Sequence, residues 1–327
     1  MTKLVTIFGG SGFVGRYITQ RMAKEGWRIR VAVRNHNEAA FVRTYGAVGQ
    51  VEPVFCNIRD DSSVESVLGG AEAVVNCVGV LAESGRNTFQ AVQAGGAERI
   101  ARLAAAVGVN RMVHVSAIGA NANATSQYAK TKAAGEAGVL AHMPHAMILR
   151  PSIVFGAEDE FFNRFASMSR FGPILPVVGA DTMFQPVYVD DVAAAAVMGV
   201  LGQADAGIYE LGGPEVASFR GLMLTMLTVV RRRRLVVNIP FFVAKIMAWS
   251  FKIASAMTLG IVKAPITKDQ IANLAVDNVV SDGLRGFETL GIQPIALTAV
   301  LPDYLWRFRP SGQYDAIKES AKNLRKP

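Results

Sequence analysis

The chain has 327 residues, 51% of them hydrophobic and 18% charged, with a formal charge of +8. That length buries a sizeable core in one large two-layered domain or two smaller ones, and so apolar a composition points to a partner or a membrane surface. Its cysteines, Cys56 and Cys77, fall inside expected strands and its four histidines show no ligand spacing, which argues against a disulfide and against a metal centre.

The apolar run Leu4 to Phe8 is too short for a signal-peptide core, so no export signal is expected. It leads into Gly9-Gly10-Ser11-Gly12-Phe13-Val14-Gly15, after which Phe13, Val14, Tyr17, Ile18 and Met22 recur at helical spacing. The pattern predicts strand, tight turn and helix. Gly9, Gly12 and Gly15 give G-x-x-G-x-x-G, a variant of the dinucleotide fingerprint. Gly9 turns the chain without a Cβ, Gly12 lets the backbone approach a pyrophosphate, and Gly15 lets the helix lie against the strand. The start of the helix, with Ser11, Phe13 and Val14, offers backbone N–H groups and a positive dipole end to the phosphates.

Arg28 to Val33 alternates as a second strand and ends at Arg34. NAD-preferring folds carry an acidic residue near this place; an arginine pairs instead with a 2′-phosphate, which selects NADPH as the expected cofactor. A solvated arginine at a strand end is the simpler alternative. Phe41, Val42 and Tyr45 suggest a short helix, and Val51 to Cys56 a third strand. Asn57-Ile58-Arg59-Asp60 follows, where an amide or carboxylate can read adenine nitrogens; an Asx turn or helix cap is the alternative. Ser62 to Leu68 reads as helix, Ala73 to Val78 as a fourth strand ending at Val78-Gly79-Val80, Phe89 to Val107 as a long Ala-rich helix, and Arg111 to Ser116 as a fifth strand. This alternation predicts right-handed βαβ units. The expected fold class is α/β, a Rossmann-like doubly wound parallel sheet with a nucleotide across its carboxyl edge and a smaller, mostly helical C-terminal part. The boundaries expected are 1–155, completed by about 185–212, for the nucleotide-binding domain. Residues 156–184 and 213–327 make the smaller part.

Tyr128 and Lys132 stand one helical turn apart. A lysine so placed holds a nicotinamide ribose and lowers the phenol's pKa, which suits the tyrosine to acid–base work on a carbonyl or alcohol. Ser116, at the end of the fifth strand, can hydrogen-bond the same oxygen.

The glycine triplet, Ser116 and Tyr128-x-x-x-Lys132 resemble the short-chain dehydrogenase/reductase superfamily in its extended or atypical branch. Ile148 to Gly156 and Pro186 to Ala193 are similar to two further landmarks of that branch. The resemblance implies that Tyr128 and Lys132 contact the nicotinamide ribose and that Ser116 and Tyr128 flank any substrate carbonyl. It also implies that the strand end carrying Pro151, Ser152 and Ile153 lines the nicotinamide side. Within the superfamily, Phe8 to Arg16, His114 to Asn121, Tyr128 to Glu136, Ile266 to Gln270 and Asp277 to Val280 resemble the NADPH-binding accessory subunit of respiratory complex I and its bacterial relatives. That similarity implies a structural nucleotide with Ser116, Tyr128 and Lys132 vestigial. It further implies complex I subunits as partners, at the junction of hydrophilic arm and membrane, on the cytoplasmic face of a bacterial inner membrane. The alternative is a free NADP-dependent reductase or epimerase acting on a sugar-nucleotide, lipid or quinone-related carbonyl.

In the tail, Arg231 to Arg234 precede the apolar stretch Leu235 to Val262, which Asn238, Pro240, Lys245 and Lys252 interrupt, so no membrane span is expected. Phe241 to Ile261 is helix-prone, with Pro240 suited to its first turn. Phe242, Val243, Ile246, Met247, Phe251, Ile253, Ala254 and Met257 are expected on one face, and Lys245, Trp249, Lys252 and Ser255 on the other. Such a helix lies at a membrane interface or docks in a partner's groove; burial in this protein's own second domain is the alternative. The arginines suit lipid headgroups or an acidic partner. Nucleic acid is not expected, because no aromatic platform or helix-turn-helix pattern accompanies them. Pro302 to Pro310 is expected to pack or dock through Tyr304, Trp306 and Phe308, and Lys318 to Lys326 to form a basic polar helix.

Overall fold

In this computed structural model, which describes residues 3–257 and 267–314, the β-branched runs form strands that the intervening helices return to the same end of one sheet. The chain runs β1 (Leu4–Phe8), α1 (Phe13–Lys24), β2 (Arg28–Val33), β3 (Val51–Phe55), α2 (Asp61–Glu65), β4 (Ala73–Asn76), α3 (Gly95–Ala106), β5 (Arg111–Val115), α4 (Gln127–His142) and β6 (Met147–Pro151). Next come β7 (Val154–Phe155), α5 (Phe162–Met168), β8 (Ile174–Val178), β9 (Met183–Phe184), β10 (Val187–Tyr188), α6 (Val189–Leu201) and β11 (Gly207–Leu211). The remainder is β12 (Ala217–Ser218), α7 (Phe219–Val229), β13 (Leu235–Ile239), α8 (Phe241–Met257), α9 (Lys268–Asn273), α10 (Phe287–Leu290) and α11 (Leu297–Leu305). The basic stretch from Lys318, the end of the Phe241 to Ile261 run and Ile266 lie outside the described residues.

Seven strands form a parallel sheet in the order β11-β6-β5-β4-β1-β2-β3. The order reverses between β1 and β4, the position where doubly wound sheets open a ligand crevice. This sheet belongs to a first unit comprising Met1–Ser152, Val189–Gly212 and Asn278–Pro294. Its core packs Phe8, Val74, Met112 and Ile148 of the sheet against Val64, Ile100, Ala104 and Val139 of the helices.

The chain's return to this unit after Asp277 divides it differently from the boundaries read in the sequence, which kept residues 213–327 together. The returning segment covers the edge strand. Glu210 donates its backbone N–H to the Arg285 carbonyl (2.9 Å), and the Arg285 guanidinium lies 5.4 Å from the Tyr209 ring centroid. An uncovered β11 would expose a row of unpaired backbone groups.

The expected single helix from Phe89 to Val107 is instead a π turn, Gln90–Ala94, followed by α3. The wide turn lets Gln93 bridge two elements: its Nε2 donates to the Val80 carbonyl (2.7 Å), and its Oε1 accepts from Thr131 Oγ1 (3.0 Å). Residues Ala40–Tyr45 form a 3-10 helix.

The second unit comprises Ile153–Tyr188, Gly213–Asp277 and Ile295–Pro327. It holds α5, α7, α8, α9 and α11 with the two-stranded pairs β7–β10, β9–β12 and β8–β13. Its core is rich in aromatics: Phe161 stacks on Phe219 (5.4 Å between centroids), with Phe162, Phe184 and Met223 around them. Of the aromatics expected in Pro302 to Pro310, Tyr304 is buried and donates to Asp159 Oδ2 (2.5 Å), Phe308 is half-buried and Trp306 is exposed. Burial pushes the Asp159 carboxyl and the Tyr304 phenol both upward, so the phenol keeps the proton it donates.

The faces of α8 differ from expectation. Ala244 and Ala248 pack against Val178 and Ile271, while Phe242, Ile246 and Trp249 lie exposed in one stripe with Lys245. Small side chains let the helix approach closely, and the large ones are thereby turned outward. Trp249 thus shares a face with Phe242 and Ile246.

Candidate functional site

The turn after β1 is built around missing side chains. Gly9 holds φ +75°, a conformation that L residues rarely adopt. A Cβ on Gly15 would lie 2.2 Å from the Gly9 carbonyl oxygen, so α1 reaches β1 only because that position carries hydrogen. Gly12 is the N-cap of α1, and no side chain caps the helix, leaving the first-turn amides of Phe13, Val14 and Gly15 for a ligand or water.

Along the carboxyl edge of the sheet runs a groove of ≈ 610 Å³. The β1 turn contributes Gly9, Ser11 and Gly12; the segment after β2 contributes Arg34, Asn35, Glu38 and Phe41; β3 is followed by Asn57, Ile58 and Arg59, and β4 by Cys77, Val78, Gly79 and Val80. Nine residues singled out in the sequence therefore line one groove: Gly9, Ser11, Gly12, Arg34, Asn57, Ile58, Val78, Gly79 and Val80. Phe13, Val14 and Gly15 form the adjoining helix start. Tyr128, Lys132, Pro151 and Ser152 belong to the same unit but do not line this groove, and Ile153 begins the second unit.

Glu38, Phe41 and Cys77 were not expected to line a site, and Arg59 was named only within the stretch after β3. Cys77 directly follows β4, whereas Glu38 and Phe41 lie in the connection after β2, where no local pattern marks a ligand contact. The side-chain oxygen of Asn57 accepts from both the backbone N–H and Nε of Arg59 (3.2 Å each), so locally the Asx turn prevails. Asp60 caps α2 by accepting from Ser63 N–H (2.9 Å). Arg34 is exposed at the rim.

Around β5 and α4 the remaining candidates meet. Ser126 caps α4 by accepting from the Ala129 amide (3.3 Å), placing Tyr128 in the first turn, edge-to-face on Phe89 (5.9 Å). Lys132, 5% exposed, donates to the Val115 carbonyl (3.1 Å), and its ammonium lies 5.9 Å from the Tyr128 ring centroid. Burial pulls its pKa down to about 8 against the opposing pull of Glu136. Below it, His114 is held neutral, pushed to about 3 by burial and then by the Lys132 charge. Asn76 Oδ1 accepts from Val78 N–H (3.0 Å), so its Nδ2 donates to His114 Nδ1 (3.1 Å) and the imidazole proton is assigned to Nε2. That Nε2 is buried without a partner among the described residues.

Ser116 does not stand free for a substrate. Its hydroxyl donates to Glu136 Oε1, and Glu136 is clamped by Arg150 through Nε (2.9 Å) and Nη2 (2.6 Å). Arg150 also reaches Glu210 (3.5 Å), whose other oxygen accepts from Ser281 N–H (2.8 Å). Ser152, expected on the nicotinamide side, donates instead to Asn278 Oδ1 (2.7 Å).

The lysine makes one property pH-dependent. Folded Lys132 titrates near 8 and the unfolded side chain near 10.5, so across that window the unfolded chain binds more protons and stability rises with pH. Below it the buried charge costs roughly 3 kcal/mol. Lys132→Met removes this cost, and its gain in urea-unfolding free energy over the parent is expected to shrink as pH rises from 8 to 10.5.

The profile of the NAD dependent epimerase/dehydratase family matches residues 5–212. The chain belongs to this family. This epimerase/dehydratase member is 33% identical over 320 residues to the mitochondrial NADH dehydrogenase (ubiquinone) 1 alpha subcomplex subunit 9 of Arabidopsis thaliana, covering 94% of this chain and 79% of that protein. It is 28% identical to the mitochondrial NADH-ubiquinone oxidoreductase 40 kDa subunit of Neurospora crassa, over 98% of this chain and 83% of that one. Among solved structures, a dTDP-glucose 4,6-dehydratase of Bacillus anthracis in complex with NAD superposes with TM-score 0.70 at 15% identity, over 99% of this chain and 100% of that one. At that identity the likeness speaks for the fold.

Proposed function

We propose that this family member is an NADPH-holding, non-catalytic accessory subunit of NADH:ubiquinone oxidoreductase, peripheral on the cytoplasmic face of a bacterial inner membrane. The observation that carries the reading is reach. Similarity to the two complex I subunits spans 94% and 98% of the chain, whereas the family profile ends at residue 212. The second support is Ser116: its single hydroxyl proton is engaged by Glu136 and so is not offered to a substrate oxygen. Among the described residues no helix is long and apolar enough to cross a membrane.

The uncapped helix start and the glycine cradle suit a pyrophosphate, taken by the amides of Phe13 and Val14 beside Gly9 and Gly12. Asn57 and Ile58 flank the adenine end and Arg34 the ribose 2′-phosphate. Tyr128 and Lys132 hold the nicotinamide ribose, with Pro151 and Ser152 at the neighbouring strand end. When bound, the dinucleotide supplies a hydride donor; in this reading the chain uses it as a structural ligand. Contacts with partner subunits are assigned to the exposed α8 stripe of Phe242, Ile246 and Trp249.

Arg34→Asp is expected to weaken NADPH about 10- to 100-fold relative to NADH, the size of a lost charge-assisted contact, read by calorimetry with each nucleotide. An unchanged preference removes Arg34 from the site. The subunit assignment is tested by isolating the respiratory complex from native membranes and finding the chain in it by mass spectrometry. Its absence, with turnover of a carbonyl substrate by the free protein, favours the reductase reading.

A further inference from the structure

The second unit carries a cationic feature that nucleotide binding does not use. Helix α7 ends at Val229, and Arg231 then adopts φ +53°, a left-handed conformation that costs a side-chain-bearing residue about 1–2 kcal/mol and that glycine holds freely. Three further arginines follow, and Arg231, Arg232, Arg233 and Arg234 line a shallow groove with Leu224 and Leu235.

The arginines are held close despite their mutual repulsion. Arg232 Nε is anchored on the Phe308 carbonyl (2.9 Å) and Arg234 Nε on the Ser169 carbonyl (2.8 Å). Burial and the charges of Arg234 and Arg170 together lower the Arg232 pKa. Among the described residues no carboxylate pairs with Arg232, Arg233 or Arg234. Strained backbone and unneutralised charge are both costs to the folded chain.

Exposed apolar side chains adjoin this cluster. Strand β13 pairs in parallel with β8, setting Leu235 opposite Ile174. Val236 and Leu175 face the core, so Leu235 (65% exposed) and Ile174 (51%) face outward. Phe171, beside Arg170, is 76% exposed, and Leu224 is 50% exposed.

We propose that this arginine cluster and its apolar rim dock on a membrane surface through the phosphates of anionic phospholipid headgroups. The proposal rests on the peripheral-membrane part of the reading above and is independent of the nucleotide. A headgroup layer offers a sheet of phosphates over hydrocarbon, which is the pairing of chemistries displayed here. A soluble phosphate makes no use of the apolar rim. The exposed Leu235 and Ile174 on the outward face of β8 and β13 suit insertion between headgroups.

The test uses the full chain and sedimentation with two vesicle types: phosphatidylcholine alone, and phosphatidylcholine mixed in equal parts with phosphatidylglycerol. Binding is expected to the anionic vesicles alone and to fall as salt rises. Arg233→Gln and Arg231→Gly are each expected to weaken it about 5-fold, the equivalent of about 1 kcal/mol per basic residue near a charged surface. Leu235→Ser is expected to weaken it too. Arg231→Gly is expected to keep or raise thermal stability, because glycine relieves the left-handed strain, so its loss of binding does not reflect misfolding.

Failure of the parent to bind anionic vesicles, or undiminished binding by both arginine variants, overturns the proposal. So does displacement by glycerol 3-phosphate combined with wild-type behaviour of Leu235→Ser, which marks a site for free phosphate. Loss of the variants from the purified respiratory complex with vesicle binding unchanged assigns the patch to an acidic protein partner and also overturns it. NADPH content, expected to be equal in all variants, separates each of these outcomes from failure of the nucleotide reading.

Discussion

Gly15→Ala is expected to abolish nucleotide retention and to destabilise the chain by about 3 kcal/mol or more, at or above the usual range for overpacking. The added Cβ would stand 2.2 Å from the Gly9 carbonyl oxygen and 2.8 Å from Gly10 Cα. Both are backbone atoms, so no side chain can swing aside. Relief requires α1 to lift from β1, and α1 is tied down by buried Ile18 and Met22 and by Thr19 Oγ1, which lies 3.1 Å from the Gly10 carbonyl oxygen and 2.9 Å from that of Gly15. Strand β1 lies between β2 and β4, so the disturbance enters the middle of the sheet.

Gly12→Ala is the informative companion. Its Cβ would meet only the Gly9 carbonyl oxygen at 3.2 Å, and its φ of −70° is ordinary for alanine. That variant is expected to fold with a loss below about 1 kcal/mol yet to lose nucleotide, because the methyl group occupies the space a pyrophosphate needs. Urea unfolding and chromatography of the nucleotide released on denaturation read the two effects separately. Parental stability in Gly15→Ala would show that α1 does not lie where the structure puts it.

The second large effect belongs to Arg150. Arg150→Met is expected to cost about 3–5 kcal/mol, the range for removing one partner from a buried ion cluster. Glu136 and Glu210, 4% and 3% exposed, would be left without their guanidinium. Glu136 would keep the Ser116 hydroxyl and Glu210 the Ser281 amide, neither of which carries charge. Parental stability in Arg150→Met, read by urea unfolding, would mean that the cluster is solvated rather than buried. Glu136→Gln in the Arg150→Met background is expected to recover part of the loss, since one of the two stranded charges is then removed.

The first strand, the glycine turn and the helix after it were legible because every determinant is local. Alternating or continuous apolar residues set the period, and glycines at the turn permit a positive φ and a close approach. Strand ends carrying Arg34, Asn57 and Val78 were legible for the same reason, and parallel pairing collects strand ends on one edge. The face of α8 was not legible. Hydropathy ranks Phe242 and Ile246 as residues to bury, yet close approach to Val178 and Ile271 favours Ala244 and Ala248. Steric fit outweighed side-chain hydrophobicity there.

By itself, then, the amino-acid order determined the βαβ alternation, the cradle at Gly9, Gly12 and Gly15, and the helical pairing of Tyr128 with Lys132, all set by spacings of a few residues. Tertiary structure alone decided that the Ser116 hydroxyl belongs to Glu136, that Arg150 and Glu210 complete that cluster, and that Asn278 and Ser281 return to the first unit. It also set Ile174 opposite Leu235 and brought Arg170 close to Arg232. Those contacts join segments far apart in the chain, and their partners are chosen by three-dimensional packing and by the cost of leaving a buried charge unpaired.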